Sequence, residues 1–310
     1  MIANSTYLNN RGCGICKTCP CTTSRTRATV FANRDIISTL EDIMHSTKHV
    51  AHNQDKTTYD ALIFSPHLDD AVLSMGTRIA ELVAAKKTVC VVTMFTKGSD
   101  MLRTKDVMVF LQHSGASSGV RLFEDRMVED NFALQKLGVQ KIIHNHLVDG
   151  LFRSYTNQFT GATQAVYPSF QQLFSGRVSP HDNILVEHIQ QLILHLIEAF
   201  AKPTTTIYGP MGVGRHVDHI LIHQALASIS SHTRIFWEDI PYRASPTALF
   251  ARLATTRTYQ QLPSAPNREI KKYAALKAKS LQCYKSQFAG LEKGGLGTFD
   301  LYHEVFYRAT

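Results

Sequence analysis

Ala61-Leu62-Ile63-Phe64-Ser65-Pro66-His67-Leu68-Asp69-Asp70 is the stretch that decides the fold. Its first four residues form a continuous apolar run that ends at Pro66, which is typical of a buried parallel strand. Apolar residues then recur at helical spacing as far as Lys86, and the Val-rich run over 88–95 predicts a second strand. A strand, a helix and a strand in this order form a β-α-β unit with a right-handed crossover.

The same alternation of strand and helix patterns continues along the rest of the chain. Strands alternating with helices are typical of an α/β domain in which helices cover both faces of the sheet. We therefore predict a Rossmann-like three-layer α/β domain with a mostly parallel sheet over residues 58–310. The patterns predict helices over 124–137, 183–200, 216–228 and 267–288, and strands over 141–143, 205–208 and 234–237.

Residues 1–57 differ from the rest and are interpreted as an irregular N-terminal extension. The segment is rich in Asn, Thr, Ser and Arg, and apolar periodicity predicts only one short helix, over 35–46. Four of the six cysteines lie in its tail, at Cys13, Cys16, Cys19 and Cys21. A structural zinc site usually joins two separated cysteine pairs across a longer loop. The role of this cluster therefore stays open between a metal site, redox-sensitive disulfides and an incidental tail.

Composition excludes several classes of protein. The chain has 310 residues, of which 44% are hydrophobic and 19% charged, so neither wholesale disorder nor a fibrous fold is expected. The longest nearly apolar stretch, 192–200, is too short to cross a membrane, and no secretory signal precedes it. We therefore predict a cytoplasmic protein without a transmembrane segment. The oligomeric state is left open.

A net charge of +8 allows a second interpretation of the chain. Basic proteins often bind anionic partners, although many basic enzymes bind no nucleic acid. The alternative function is therefore a basic α/β binding module for nucleic acid or another anionic ligand, with a vestigial metal site. Our main interpretation expects no nucleic-acid partner.

The first chemical motif lies directly after the first predicted strand, where open α/β sheets bind their ligands. His67 and Asp70 are three residues apart, so a turn that starts here can direct both side chains at one point. Asp69 would face a different direction. Two adjacent carboxylates are costly to bury without a cation, which favours a metal. The alternative is that Asp69 or Asp70 only caps the following helix.

The second motif runs from Gly209 to His219 and also joins a strand to a helix. His216 and His219 share one helical face, but this spacing alone is weak evidence in a chain with fifteen histidines. Both motifs follow strands of one sheet and can converge. His67, Asp70 and His219 would then bind a metal and leave coordination positions open. Non-haem Fe(II) oxygenases use the same ligand set, so the ligands do not fix the metal.

The two motifs together resemble the LmbE-like, or PIG-L-like, family of zinc-dependent de-N-acetylases. That family includes deacetylases of mycothiol, bacillithiol and GPI-anchor precursors and of glycopeptide antibiotics. Its first motif usually reads His-Pro-Asp-Asp, whereas Leu68 stands here in place of the proline. Weaker similarities extend the match over about 59–308. They are Arg-Met-Val-Glu at 126–129, Trp-Glu-Asp-Ile-Pro-Tyr at 237–242 and Tyr-Lys-Ser-Gln at 284–287.

The resemblance implies a role for each residue of the two motifs. His67, Asp70 and His219 would bind Zn²⁺, with Fe²⁺ or another divalent metal as the alternative. Asp69 would be the general base, and His216 would stabilise the oxyanion or protonate the leaving amine.

Substrate contacts are expected from three further residues. Arg126 belongs to the motif whose Arg holds substrate in the family, and Arg153 is a candidate by charge. Tyr242, or alternatively Tyr208, could replace a family Tyr that is missing just before His216 and His219. The predicted enzyme is a zinc-dependent hydrolase of a linear amide C–N bond. It would remove an N-acyl group, in particular acetyl, from a small amino sugar or a glycoconjugate. Residues 98–120 and 150–182 are expected to be irregular and to build the substrate pocket.

Overall fold

The computed structural model describes residues 57–242, 259–263, 267–287 and 303–310. Within these ranges the chain forms a seven-stranded sheet and a separate two-stranded sheet. The expected helix over 35–46 and the N-terminal cysteine cluster lie outside the described residues. Among the residues that the structure describes, no helix is long and apolar enough to cross a bilayer.

The large sheet has the strand order β3-β2-β1-β6-β7-β9-β8. The first five of these strands run parallel, and β9 runs antiparallel to both β7 and β8. The parallel part follows the order of five of the six strands of a Rossmann fold, in which the order reverses beside the first strand. The strands are β1 Tyr59–Ser65, β2 Val89–Lys97, β3 Lys141–Val148, β4 Ser154–Thr156, β5 Thr163–Ala165, β6 Ala201–Pro210, β7 Thr233–Trp237, β8 Tyr259–Gln261 and β9 Phe306–Ala309.

Helices cover both faces of the sheet. Side chains alternate along a strand, so Leu62 and Phe64 of β1 pack into the core beneath one set of helices, while Ala61 and Ile63 pack into the other core. Helices α5 and α6 cover the first core, and α1, α3 and α7 cover the second. The three-layer α/β prediction is therefore confirmed. The helices are α1 Asp70–Ala84, α2 Lys105–His113, α3 Gly119–Lys136, α4 Phe170–Leu173, α5 Asn183–Phe200, α6 Val217–Ala227 and α7 Asn267–Leu281.

A third apolar cluster lies beside the loops that follow the parallel strands. It joins Leu68 to residues of α2, α3 and α4. The expectation that 98–120 is irregular is wrong, because α2 lies within it and begins where the Thr104 hydroxyl accepts the Val107 N–H at 3.2 Å. Residues 150–182 likewise contain α4 and the β4–β5 hairpin. These two segments are therefore folded, and both pack into the third apolar cluster.

Element boundaries follow local hydrogen bonds that periodicity does not show. Helix α3 starts five residues before the predicted start, because the Ser118 hydroxyl caps it by accepting the Arg121 N–H at 3.2 Å. Helix α7 ends at Leu281 and not at residue 288. Helix α5, by contrast, has the predicted bounds Asn183–Phe200.

Helix α1 is broken at Met75, whose φ of −145° and ψ of 22° are not helical. The Glu304 carboxylate accepts two backbone N–H groups that follow the break, those of Thr77 at 2.7 Å and Arg78 at 2.9 Å. The fully buried Lys277 ammonium pairs with Glu304 at 2.8 Å and donates to a carbonyl of the preceding turn at 2.7 Å. Charged groups from two distant segments thus satisfy backbone groups around the break.

Candidate active site

The two sequence motifs lie side by side at the carboxyl ends of β1 and β6. These strands are parallel neighbours, with Ile63 in register with Tyr208. The chain leaves β1 towards β2 on one side, whereas β6 lies on the other side, so this is the topological switch point of the sheet. Such a crevice is where open α/β sheets bind ligands. The fold therefore brings together motifs that are about 150 residues apart.

Three donor atoms from these motifs form a nearly equilateral triangle. His67 Nδ1 lies 3.2 Å from Asp70 Oδ2 and 3.3 Å from His219 Nε2, and the latter two atoms are 3.3 Å apart. A tetrahedral ion with bonds of about 2.0–2.1 Å separates its ligand atoms by about 3.3–3.4 Å. The donor set of two imidazoles and one carboxylate suits zinc and leaves a position open. The residues present therefore fit the metal that the resemblance implies.

A carboxylate stands behind each of the two imidazoles. His219 Nδ1 lies 2.7 Å from Asp239 Oδ1, and His67 Nε2 lies 3.1 Å from Asp218 Oδ2 and 3.4 Å from Asp149 Oδ2. A carboxylate in this place holds the proton on the outer nitrogen and leaves the inner nitrogen free as a donor. The sequence interpretation gave no such role to these three carboxylates.

The charges around the triangle shift the pKa of its members. Burial alone would lower the pKa of His67, but hydrogen bonds to Asp218 and Asp70 outweigh it and hold that pKa well above its usual value. Burial opposes ionisation of Asp70 in the same way, yet His219 and His67 keep its pKa well below the usual range. Asp70 is therefore an ionised carboxylate, as an oxygen ligand of a divalent cation must be.

Asp69 differs from Asp70 in both contacts and charge state. It lines the cavity, and among the described residues no hydrogen bond to its carboxylate is found, whereas Asp70 accepts the His67 N–H at 2.8 Å. Asp69 stands at the N-cap position of α1, but its side chain does not cap the helix; instead the Ser65 hydroxyl accepts the Ala71 N–H at 3.1 Å. Burial and the adjacent charge of Asp70 raise the pKa of Asp69 well above its usual value.

His216 lines the same cavity from the start of α6. Its Nδ1 accepts the Asp218 N–H at 3.2 Å, which leaves Nε2 to carry the proton of the neutral ring. Burial and the nearby positive charge of His67 hold the pKa of His216 well below its usual value. The imidazole is 4.7 Å from the ring of His67, measured between centroids. A neutral ring with an N–H donor thus faces the space above the triangle.

A cavity of about 270 Å³ opens over these groups. Polar side chains lie at the triangle and at one flank, and Phe110, Phe123, Phe170 and Phe174 supply the aromatic walls. The size is near that of one sugar ring with a short substituent, and the mixture of aromatic and polar walls is typical of small-molecule sites.

Two of the three expected substrate contacts line this cavity. The Arg126 guanidinium lies over the ring of Phe110 at 4.9 Å and donates to the Ser114 hydroxyl at 3.2 Å. The Tyr242 ring packs over Gly214, where any Cβ would overlap it. The glycine before the second His pair thus gives room to a Tyr from another loop.

Arg153 lies elsewhere and is not among the residues that line the cavity. Its guanidinium is buried and forms ion pairs with Asp218 at 2.6 Å and Asp182 at 3.0 Å.

Comparison with known protein families shows which family the chain belongs to. The sequence profile of the PIG-L family, described as GlcNAc-PI de-N-acetylase, matches residues 62–230, which is more than half of the chain. The chain belongs to the PIG-L family. This confirms the resemblance drawn from the two motifs, both of which lie within the matched range.

Similar proteins include several deacetylases. The 2'-N-acetylparomamine deacetylase of Niallia circulans is 26% identical over 206 residues, which cover 61% of this chain and 69% of that protein. The zinc-inhibited form of teicoplanin deacetylase Orf2 superposes with a TM-score of 0.61 at 19% identity, over 81% of this chain and 97% of that chain. A40926 pseudoaglycone deacetylase Dbv21 gives a TM-score of 0.56 at 20% identity, with coverages of 82% and 97%. These structures share the fold.

In this PIG-L protein, the segments that carry two of the weaker sequence similarities contact each other. Glu129 of α3 accepts hydrogen bonds from the Ser286 N–H at 2.9 Å and hydroxyl at 2.7 Å. Gln287, from the same late segment, donates to the carbonyl of Leu68 in the first motif. These two segments therefore hold in place the loop that carries His67 and Asp70.

Proposed function

We propose that this PIG-L protein is a metal-dependent hydrolase that removes an N-acetyl group from an amino sugar or a glycoconjugate. The observation that carries the proposal is the triangle of His67 Nδ1, Asp70 Oδ2 and His219 Nε2, with sides of 3.2–3.3 Å, at the floor of a sugar-sized cavity. The names of two relatives support the reaction class, since one is a 2'-N-acetylparomamine deacetylase and the other a teicoplanin deacetylase.

His67, Asp70 and His219 would hold the metal, and zinc is the ion that we propose. A divalent ion bound there supplies Lewis acidity towards the amide carbonyl and makes a water molecule more acidic. Two nitrogens and one oxygen also suit Fe²⁺, so the metal must be measured.

Asp69 acts as the general base in this proposal. Its carboxylate lies in the cavity without a hydrogen-bond partner among the described residues, and its raised pKa makes it a stronger proton acceptor than an ordinary Asp. It takes the proton of the attacking water. His216 carries its proton on Nε2 and donates a hydrogen bond to the oxyanion, and Asp69 passes the proton that it took from water to the leaving amine.

The cavity walls orient the substrate. Arg126 offers a guanidinium to sugar hydroxyls or an anionic substituent, and Tyr242 closes the site beside His219 at 5.9 Å between ring centroids. The aromatic walls exclude water from the reacting amide, which strengthens each electrostatic contact within the cavity.

The test combines metal analysis with acetate release from N-acetylglucosamine derivatives. We expect about one zinc per chain and release of acetate, and His67→Ala or His219→Ala should abolish both. His195→Ala is the matched control, because this imidazole of α5 is exposed and, among the described residues, bonds only its own helix. The four N-terminal cysteines are replaced by Ser in all variants, so that they do not contribute metal.

Two results would contradict the proposal. Full zinc occupancy in either ligand variant would exclude this triangle as the metal site. Salt-dependent binding to DNA or RNA, together with no acetate release from the zinc-loaded chain, would favour the basic binding module instead.

A further inference from the structure

Arg153 is a buried cation with two carboxylates, two aromatic rings and a backbone carbonyl around its guanidinium. Its guanidinium lies between the rings of Phe95 and Tyr167, at 5.3 and 5.4 Å from their centroids. One arm pairs with Asp218 and the other with Asp182, and the first also donates to a backbone carbonyl at 3.1 Å. Such a fixed, planar fork is the property that distinguishes Arg from Lys.

Asp182 anchors the outer end of this arrangement. Its carboxylate, buried like that of Asp218, accepts the Tyr167 hydroxyl at 2.8 Å, and that hydroxyl in turn accepts the Ser179 N–H at 2.9 Å. The guanidinium therefore has little freedom to move.

Asp218 connects this cation to the donor triangle. One carboxylate oxygen faces Arg153, and the other lies 2.8 Å from the Gly150 N–H and 3.1 Å from His67 Nε2. Asp218 is fully buried, so water cannot solvate its negative charge. A buried cation such as Arg153 is needed to balance that charge. Arg153 and the Gly150 N–H thus engage opposite oxygens of Asp218, and the second of these oxygens faces His67.

We propose that Arg153 is a positioning residue of the metal centre, which acts through Asp218 on the ring of His67. With Asp218 held by Arg153, His67 directs Nε2 at the carboxylate and Nδ1 at Asp70 and His219. This inference rests on the proposed metal site. It differs from the substrate contact that the sequence suggested for Arg153, because the residue reaches the reaction only through two other side chains.

Zinc affinity, measured by competition with a chromophoric chelator, is the primary readout. Arg153→Met should weaken zinc binding by about 10–100-fold, the range found for outer partners of metal ligands. The zinc affinity of Arg153→Lys should lie between those of the wild type and the Met variant. An ammonium keeps the charge but lacks the planar fork that pairs with both carboxylates. The absorption spectrum of the Co²⁺-loaded Met variant should also change, since the orientation of one ligand ring has changed.

Arg234→Met is the matched control for the loss of an arginine. Arg234 is half-buried at the start of β7, at the end of the sheet opposite the site, and its guanidinium donates to the Ala227 carbonyl at 2.6 Å. This variant should lose stability but keep its zinc affinity and its Co²⁺ spectrum.

A double-mutant cycle tests the route through Asp218. If Arg153 acts through this carboxylate, Asp218→Asn combined with Arg153→Met should weaken zinc binding no more than about threefold beyond Asp218→Asn alone. If the Met variant does not fold, the Lys variant takes its place in the same cycle.

Three outcomes have different meanings. If the losses in zinc affinity caused by Arg153→Met and Asp218→Asn multiply in the double variant, the route through Asp218 is wrong. Unchanged zinc affinity in a folded Arg153 variant would overturn the inference but leave the proposed function standing. A wild-type chain with no zinc affinity would overturn both.

Discussion

Replacing the two adjacent aspartates one at a time should separate proton transfer from metal binding. Asp70 Oδ2 lies within 3.3 Å of a donor nitrogen of both His67 and His219, whereas the Asp69 carboxylate has no hydrogen bond among the described residues. Asp69→Asn keeps the shape of the side chain but removes the base. Loss of general-base help lowers kcat by about 10²–10⁴-fold, or about 3–5.5 kcal/mol in barrier.

Asp70→Asn should have the opposite profile. It removes a charged metal ligand and the acceptor of the His67 N–H at 2.8 Å, so zinc affinity should fall by more than the roughly 10–100-fold typical of an outer partner. Added zinc should restore part of its activity. In Asp69→Asn, zinc affinity should change far less, because no bond to the triangle is lost.

Zinc content and kcat are measured side by side for the two variants. In the wild type, the rate should fall as the pH drops through the raised pKa of Asp69, because a protonated carboxyl cannot accept a proton. This acidic limb should be missing in Asp69→Asn. If Asp69→Asn lost the metal while Asp70→Asn kept it, the two roles would have to be exchanged.

Three further substitutions test the supports of the site. Asp239→Asn should weaken zinc binding about 10–100-fold in chelator competition, because Asp239 orients His219 at 2.7 Å; unchanged affinity would contradict this. Gly214→Ala should displace the Tyr242 ring and reduce kcat/KM for acetate release, and a kcat/KM equal to that of the wild type would show that the ring is not needed there. Leu68→Ala should destabilise the fold by about 2–5 kcal/mol in denaturant unfolding, because Leu68 is buried in the third apolar cluster; a loss below about 1 kcal/mol would show that the cluster collapses around it.

The sequence predicts the parts of the molecule that depend on local pattern. The apolar run before His67 and the helical spacing after Asp70 are enough to predict the β-α-β unit and its parallel sheet. The convergence of the two motifs follows from the same reasoning, since the carboxyl ends of parallel strands meet at one edge. The family follows from the two motifs themselves.

The carboxylates behind the imidazoles could not be predicted in this way. Asp149 follows β3 and Asp239 follows β7, and their reach depends on sheet register and loop path, which no local pattern encodes. Asp218 lies within the second motif, but its direction depends on Arg153. A count of Asp residues at strand ends is the signal that could have drawn attention to the first two.

Arg153 shows why charge alone misleads. A single Arg near a predicted pocket looks like a substrate ligand when its partners are unknown. Its pairing with Asp182 requires two distant parts of residues 150–182 to fold against each other, and a one-dimensional pattern does not show tertiary contacts of that kind.

The break in α1 has a consequence for the order in which a ribosome-bound chain can mature. The helix that begins with Asp70 is made early, but the carboxylate that accepts its Thr77 N–H belongs to Glu304, 227 residues later. Lys277, the buried cation beside it, is also translated late. During synthesis the N–H groups of Thr77 and Arg78 therefore have water as their partner in place of this carboxylate. The nascent protein cannot complete the helix that follows the loop of His67 until Glu304 has left the ribosome.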